Sequence, residues 1–402
     1  MKKNTFLLIV IFTMLGVQLS AQNTWVRKAD LTGDSRYCGA GFSIGTKGYF
    51  SCGLTSSGWD NDLWEYSQTT NTWSQKADVP GITGRYGPAG FAIGNKGYIG
   101  LGCNSSNTPQ TDLYEYNPVA NSWTSKAGFP GSARYNVATF VIDSSAYLCC
   151  GTIGTSPYLS SVWAYNKVTN AWSQKSDVPG DARLGGIAFA INGTGYFGTG
   201  YSSASNLLQD FYAYNPLTDT WTSRQDFPIP TQASCAFSIG SWGYVGTGQS
   251  DLGGSNHSNF YDYSPATNSW TTEASYSGPL VRNAIGFCLD SYGYIGSGYI
   301  PGGTYSKEFW EYRPKAEAVE QHEKAAEMIF PNPSNGPVNI ISKNNKLKTI
   351  HVFDQSGRMV FEATRTNQHS QIDLSILSQG KYVISVESIE CVVLTQVIII
   401  NK

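Results

Sequence analysis

Histidine is scarce in this chain of 402 residues: four are present, scattered, which leaves no His-rich metal site. Charge is scarce as well, at 14% of residues, and the 27 basic and 29 acidic side chains nearly cancel. Neither nucleic acid nor an anionic membrane surface is therefore an expected partner. The short catalytic signatures are missing too. There is no Gly-x-Ser-x-Gly, no His-Glu-x-x-His and no phosphate-binding loop, so no cofactor, metal or catalytic residue is expected from motifs. Long apolar runs are confined to the start. There Phe6 to Leu15 follows Lys2 and Lys3 and precedes the small residues ending at Ala21. That run is too short to span a bilayer comfortably and reads as an export signal over residues 1–21. No Cys follows directly, so a lipid-anchored start is not expected. The eight cysteines (Cys38, Cys52, Cys103, Cys149, Cys150, Cys235, Cys288 and Cys391) fit no zinc spacing. Most sit in apolar strand-like words and read as small buried hydrophobes, with a Cys38–Cys52 bridge as the alternative that an oxidising compartment permits.

What the chain has in abundance is glycine and aromatics, in a repeat. Trp25, Trp73, Trp123, Trp172, Trp221 and Trp270 recur at intervals of 48, 50, 49, 49 and 49 residues. Seven residues before each Trp but the first stands a Tyr: Tyr66, Tyr116, Tyr165, Tyr214 and Tyr263; Tyr312 closes the series. Each period also holds a Gly-Tyr word ("GYFSCG", "GYIGLG", "AYLCCG", "GYFGTG", "GYVGTG", "GYIGSG") and, before it, a Phe word such as "AGFSIG". Four short β words per period of about fifty predict a propeller blade, whose sheet buries its faces against its neighbours. The first Trp word stands before any complete period, and the last period lacks one. The strand around Trp25 is therefore expected to complete the sixth blade and close the ring.

These words resemble the kelch family over about residues 23–316: the Arg before the first strand, the Tyr-containing second strand ending in Gly, the Tyr-Asn-Pro turn and the Trp after it. The kelch double glycine is here Gly-x-Gly or weaker. After Pro314 comes a charged, Ala-rich stretch read as a linker over 317–327, and then a different module over 328–402. Pro331-Asn332-Pro333 with Gly336, "VFDQSGRMV" and "IDLSILSQGKYVI" resemble the type A C-terminal sorting domain of the type IX (Por) secretion system. The resemblance implies passage to the cell surface or beyond through that machinery, via the periplasm. The other reading of these strands is an immunoglobulin-like binding module. The fold class expected is all-β: a six-bladed kelch-like propeller (22–316) with a C-terminal immunoglobulin-like β-sandwich, acting as a monomer.

The candidate site is a set of arginines. Arg36, Arg85, Arg134 and Arg183 each lie six residues before the Phe of the innermost strand, with Arg282 nearly equivalent in the sixth period and Thr231-Gln232 in the fifth. The start of each innermost strand faces one end of the channel. These side chains are thus expected to form a cationic ring for carboxylates, or else to brace the blades. Loops of differing sequence surround that face and supply Trp59, Tyr158, Tyr201, Tyr299 and Tyr305 for sugar faces or peptide side chains. His257, in a polar loop, reads as a surface residue. Glu65, Glu115 and Glu311 recur at one strand position and read as architecture. Three functions follow as expectations: an exported protein that binds a glycan or protein ligand; a sugar mutarotase or epimerase of the kind the kelch resemblance includes, with Asp60 and Asp210 as candidate acid or base; or a purely structural surface protein.

Overall fold

The computed structural model describes residues 23–81, 84–204, 206–315, 328–330, 334–341, 347–354, 358–364, 369–388 and 393–401. The export signal, the linker, Pro331-Asn332-Pro333 and Cys391 lie outside the described residues. The chain divides into two units, Met1–Ala318 and Val319–Lys402.

Six antiparallel sheets of four or five strands and one two-stranded ribbon, Tyr299–Ile300 with Thr304–Tyr305, make up the first unit among the described residues. The first runs outward through Ala40–Ile44, Lys47–Thr55, Gly58–Ser67 and Thr72–Lys76. The sixth runs through Ile285–Leu289, Tyr292–Gly296 and Phe309–Arg313, and its outermost strand is Thr24–Arg27 from the other end of the sequence. There Trp25 stands opposite Tyr312 in the same register as Trp73 opposite Tyr66. The innermost strands contact one another in cyclic order, the sixth touching the first.

Aromatic stacking explains the Gly-Tyr word. In each sheet the Phe of the inner strand stacks on the Tyr of the second strand, as Phe42 does on Tyr49 with centroids 5.2 Å apart. The same ring lies over the next sheet's Gly: a Cβ on Gly97 would come within 2.3 Å of Phe42, and one on Gly195 within 2.2 Å of Phe140. The third sheet has Ala146 at this position; a side chain larger than Ala would separate the sheets.

Two rings of hydrogen bonds tie the sheets together. At the outer edge one residue after each outer strand (Ala274, Ala29, Ala77, Ala127, Ser176, Gln225) is clasped by the next sheet. Its carbonyl accepts from the indole Nε1 of Trp25, Trp73, Trp123, Trp172, Trp221 or Trp270 at 2.7–2.9 Å. Its N–H donates to Asn23, Asn71, Asn121, Asn170, Asp219 or Asn268. Those turn residues adopt positive φ, which Asn and Asp tolerate. Near the axis, Cys38 donates to Asn283, Asn283 to Ala233, Ala233 to Gly185, Gly185 to Asn136, Asn136 to Gly87 and Gly87 to Cys38, all backbone to backbone. The cycle is complete after six steps.

The second unit pairs a three-stranded sheet (Met328–Phe330, Pro337–Ile341, His369–Asp373) with a four-stranded one (Met359–Thr364, Leu347–Phe353, Gly380–Ser388, Val393–Ile400). Val338, Ile340, Ile350, Val352, Ile372, Ile384 and Ile398 fill the core.

Candidate binding site at the channel mouth

The arginines do not form an open cationic ring. Arg36, Arg85 and Arg183 are fully buried and Arg134 is 3% exposed. A guanidinium so buried needs a partner, and the third strand of the same sheet supplies it. Arg36 is bidentate on Asp62, with one arm at 2.7 Å; Arg85 grips Asp112 at 2.7 and 2.6 Å; Arg183 grips Asp210, with one arm at 2.7 Å. Arg134 meets Ser161 Oγ at 2.9 Å in place of a carboxylate, and burial holds its pKa down at about 10. The backbone carbonyl of each accepts from a glycine of the preceding sheet, as Arg85 does from Gly53 at 2.8 Å. These side chains brace one sheet and their backbones link it to the preceding one. Asp210 is consumed by that pairing, and Asp60 caps Asn61 while lying 3.4 Å from Arg36.

The sixth position is corrected by one residue. Gly298 of the sixth sheet donates to Arg36, and Gly248 of the fifth donates to Val281 rather than to Arg282. Val281 therefore takes the brace position, fully buried, and Arg282 the next one. In the fifth sheet Thr231 stands at the brace position and its partner is His257, Oγ1 to Nε2 at 3.1 Å. His257 is thus not a surface residue: it is 9% exposed, and burial depresses its pKa to about 4. The unfolded chain protonates near the ordinary value of about 6.5. Neutral His257 contributes stability that is full above about 6.5 and is lost as pH falls through 4, about 3 kcal/mol in all. Melting temperature should fall over that window more steeply for the native chain than for His257→Gln; parallel curves would refute the assignment.

One residue beyond the braces, the chain turns toward the axis. Tyr37, Leu184, Gln232 and Arg282 open a cavity of about 380 Å³ whose floor is formed by Cys38, Asn136 and Asn283 of the inner hydrogen-bond ring. Below it lies a channel of about 430 Å³ along the innermost strands; Gly39, Val137 and Ser234 line both. Six residues around the axis (Cys38, Gly87, Asn136, Gly185, Ala233, Asn283) have φ between 51° and 62°. This left-handed step swings the preceding side chains Tyr37, Tyr86, Leu184, Gln232 and Arg282 onto the mouth.

The wall is uneven. Arg282 lies 4.4 Å above the Tyr299 ring, and the aromatic arc continues from Tyr299 to Tyr37 (5.4 Å), Tyr86 (5.6 Å) and Tyr135 (6.0 Å), with Tyr305 4.8 Å from Tyr37. Opposite stand amides: Gln232 Nε2 donates to Gln249 Oε1 at 3.2 Å, and Arg282 donates to the same oxygen at 3.1 Å. Burial raises the phenol of Tyr37 to about 12 and the thiol of Cys38 to about 12, so neither ionises near neutrality and Cys38 is no thiolate nucleophile. Among the described residues, Arg282 is the one charged residue on the lining. Of the loop aromatics singled out in the sequence, Tyr299 lines the cavity. Tyr158 and Tyr201 pair with each other at 6.1 Å, and Trp59 packs its backbone against Gly84, away from the lining. The seven described cysteines are free, Cys38 and Cys52 included.

A kelch motif model matches residues 133–179, and a model of the secretion system C-terminal sorting domain matches 328–401. The chain joins a kelch propeller to a secretion sorting domain. The sorting domain implies contact with the type IX machinery and export to the cell surface or outside. Among solved structures, that of YjhT is similar with a TM-score of 0.61 at 15% identity, covering 70% of this chain and 95% of the other. At that identity the likeness is one of fold. No curated protein matches the chain. The third-strand glutamates of the kelch propeller are architectural: Glu65, Glu115 and Glu311 accept from Tyr49, Tyr98 and Tyr294 at 2.5–2.6 Å and pair with Lys76, Lys126 and Lys28. The tyrosines next to the arginines are the residues that sequence reasoning passed over. The signal was the "RY" pair at Arg36, Arg85 and Arg134, read for its Arg alone.

Proposed function

We propose that the exported kelch propeller is a binding protein whose recognition site is the cup at the channel mouth. The observation that carries this is the pairing of an aromatic arc with Arg282 and two glutamine amides around one cavity. Tyrosine faces suit the apolar faces of sugar rings or peptide side chains, and amides suit hydroxyls and peptide groups. Arg282 offers a guanidinium whose remaining donors suit a carboxylate. The ligand class is thus an acidic glycan or an acidic peptide. Acid–base turnover gains no support from the lining, which carries no carboxylate among the described residues.

The test is a binding screen of the full chain against neutral sugars, acidic sugars and acidic peptides, repeated with Arg282→Gln and Gln232→Ala. Acidic members should bind, and Arg282→Gln should weaken them roughly tenfold or more, the value of a charge-assisted hydrogen bond, at nearly native melting temperature. An acidic ligand held equally by both variants, or no acidic ligand held at all, would overturn the proposal.

A further inference from the structure

The blades of this propeller differ at one buried position, and the difference leaves a vacancy. In the first, second and sixth sheets a third-strand glutamate is held between a second-strand Tyr hydroxyl and an outer-strand Lys. Tyr49, Glu65 and Lys76 form one such set, with Tyr49 Oη 2.6 Å and Lys76 Nζ 3.3 Å from the carboxylate. In the fourth sheet the register is the same: Tyr196 stands opposite Ala213, and Ala213 opposite Thr222. The hydroxyl remains, as Tyr196. The cation remains, as Arg224, whose backbone N–H meets Phe211 as that of Lys126 meets Leu113. The carboxylate is gone, since Ala213 replaces it.

An open surface cleft of about 360 Å³ lies there, lined by Asn192, Thr194, Ala213, Leu217, Thr222 and Arg224, with Leu217 largely exposed and Tyr196 behind the lining rather than on it. Arg224 Nε is buried without a hydrogen-bond partner, and Arg224 has no ion pair among the described residues. Its charge acts on the hydroxyls of Tyr196 and, from the fifth sheet, Tyr263. The third sheet also carries alanine at this position, Ala164, but its cation, Lys175, acts on the carboxylate of Asp219. In the fifth the cation is replaced by Glu273, which Lys315 neutralises at 3.0 Å. In the fourth sheet, therefore, the cation and the hydroxyl are both kept and the anion is not.

We infer that this cleft is a second ligand site, one for a small hydroxylated carboxylate of the sugar-acid class. The carboxylate takes the place that Glu65 fills in the first sheet, on Arg224 beside Ala213. The hydroxylated body faces Thr194, Thr222 and Asn192, and its apolar face meets Leu217. The site lies on the turn between the inner and second strands and the turn between the third and outer strands, the end of the blade opposite the cup. It does not depend on the cup being a recognition site.

The experiment is calorimetric titration of the full chain with glucuronate, with glucose as the uncharged control, in an Arg282→Gln background so that the cup offers no guanidinium. Saturable binding of glucuronate and none of glucose is expected. Arg224→Gln should weaken it roughly tenfold or more through loss of the charged donor. Ala213→Glu should abolish it and raise the melting temperature, because the chain then supplies its own carboxylate. The inference is overturned by an absence of saturable glucuronate binding, or by binding that survives both Arg224→Gln and Ala213→Glu. Should Ala213→Glu fold poorly, Arg224→Gln still decides the question, since Arg224 is half-buried and has no ion pair to lose among the described residues.

Discussion

Arg36→Ala should lower the stability of the propeller by about 3–5 kcal/mol, the usual loss when one member of a buried ion pair is removed. The substitution strands Asp62, which is 8% exposed and is already pushed up by burial, an effect the Arg36 contacts oppose. It also removes the donors to Asp34 and Cys52 carbonyls. Arg282→Ala, one step further along its own blade, should change the melting temperature little, because that guanidinium has no ion pair among the described residues and its contacts are a glutamine amide, one carbonyl and a tyrosine face. Thermal melts of the two variants separate a brace from a recognition residue. Equal melts would refute the division made here. An Arg36→Met, Asp62→Leu double replacement should recover much of the loss, since two apolar side chains leave no charge unpaired.

Trp25→Ala should cost a similar amount, about 3–5 kcal/mol, the range for truncating a large buried aromatic. Trp25 meets Phe260 at 4.9 Å and Tyr276 at 5.1 Å, both edge-on, and its indole donates to Ala274 at 2.9 Å. Removing residues 23–27 altogether should do more. It takes away the clasp of Asn23 on Ala274 and Tyr312, and it leaves Phe309–Arg313 as an unpaired edge. An exposed edge of that kind invites pairing between chains. Near-UV circular dichroism should show an early, broadened melt, and size-exclusion chromatography should show larger species. A truncated chain that melts like the native one and stays monodisperse would mean that the ring holds without its outermost sixth strand.

Much of the architecture was legible because a repeat states its packing six times. A sheet with aromatics on both faces cannot bury them alone, so a period of fifty with four β words admits few folds. The sorting domain was legible for a different reason: its segments keep fixed wording and order. The site was less legible. Reading Arg282 as equivalent to Arg183 tolerates a shift of one residue, and in extended chain one residue exchanges the buried face for the exposed one. Strict counting, six residues before Phe287, points to Val281, and six before Phe237 points to Thr231. His257 was misjudged because its loop is polar in sequence. Only its position 26 residues after Thr231, where other blades hold an aspartate 26 or 27 residues after the arginine, reveals its place in the core.

The sequence by itself determined the all-β repeat, the kelch character of the propeller and export by the type IX route, since each follows from periodicity or from ordered local words. Tertiary structure alone decided which charges are paired inside the sheets and which line the channel mouth. Whether an arginine is a brace or a binding group depends on a carboxylate some 27 residues away, across a strand pair. Whether a cation is paired within its own sheet depends on a glutamate or an alanine in the neighbouring strand. Those relations exist only once the sheets have closed on one another.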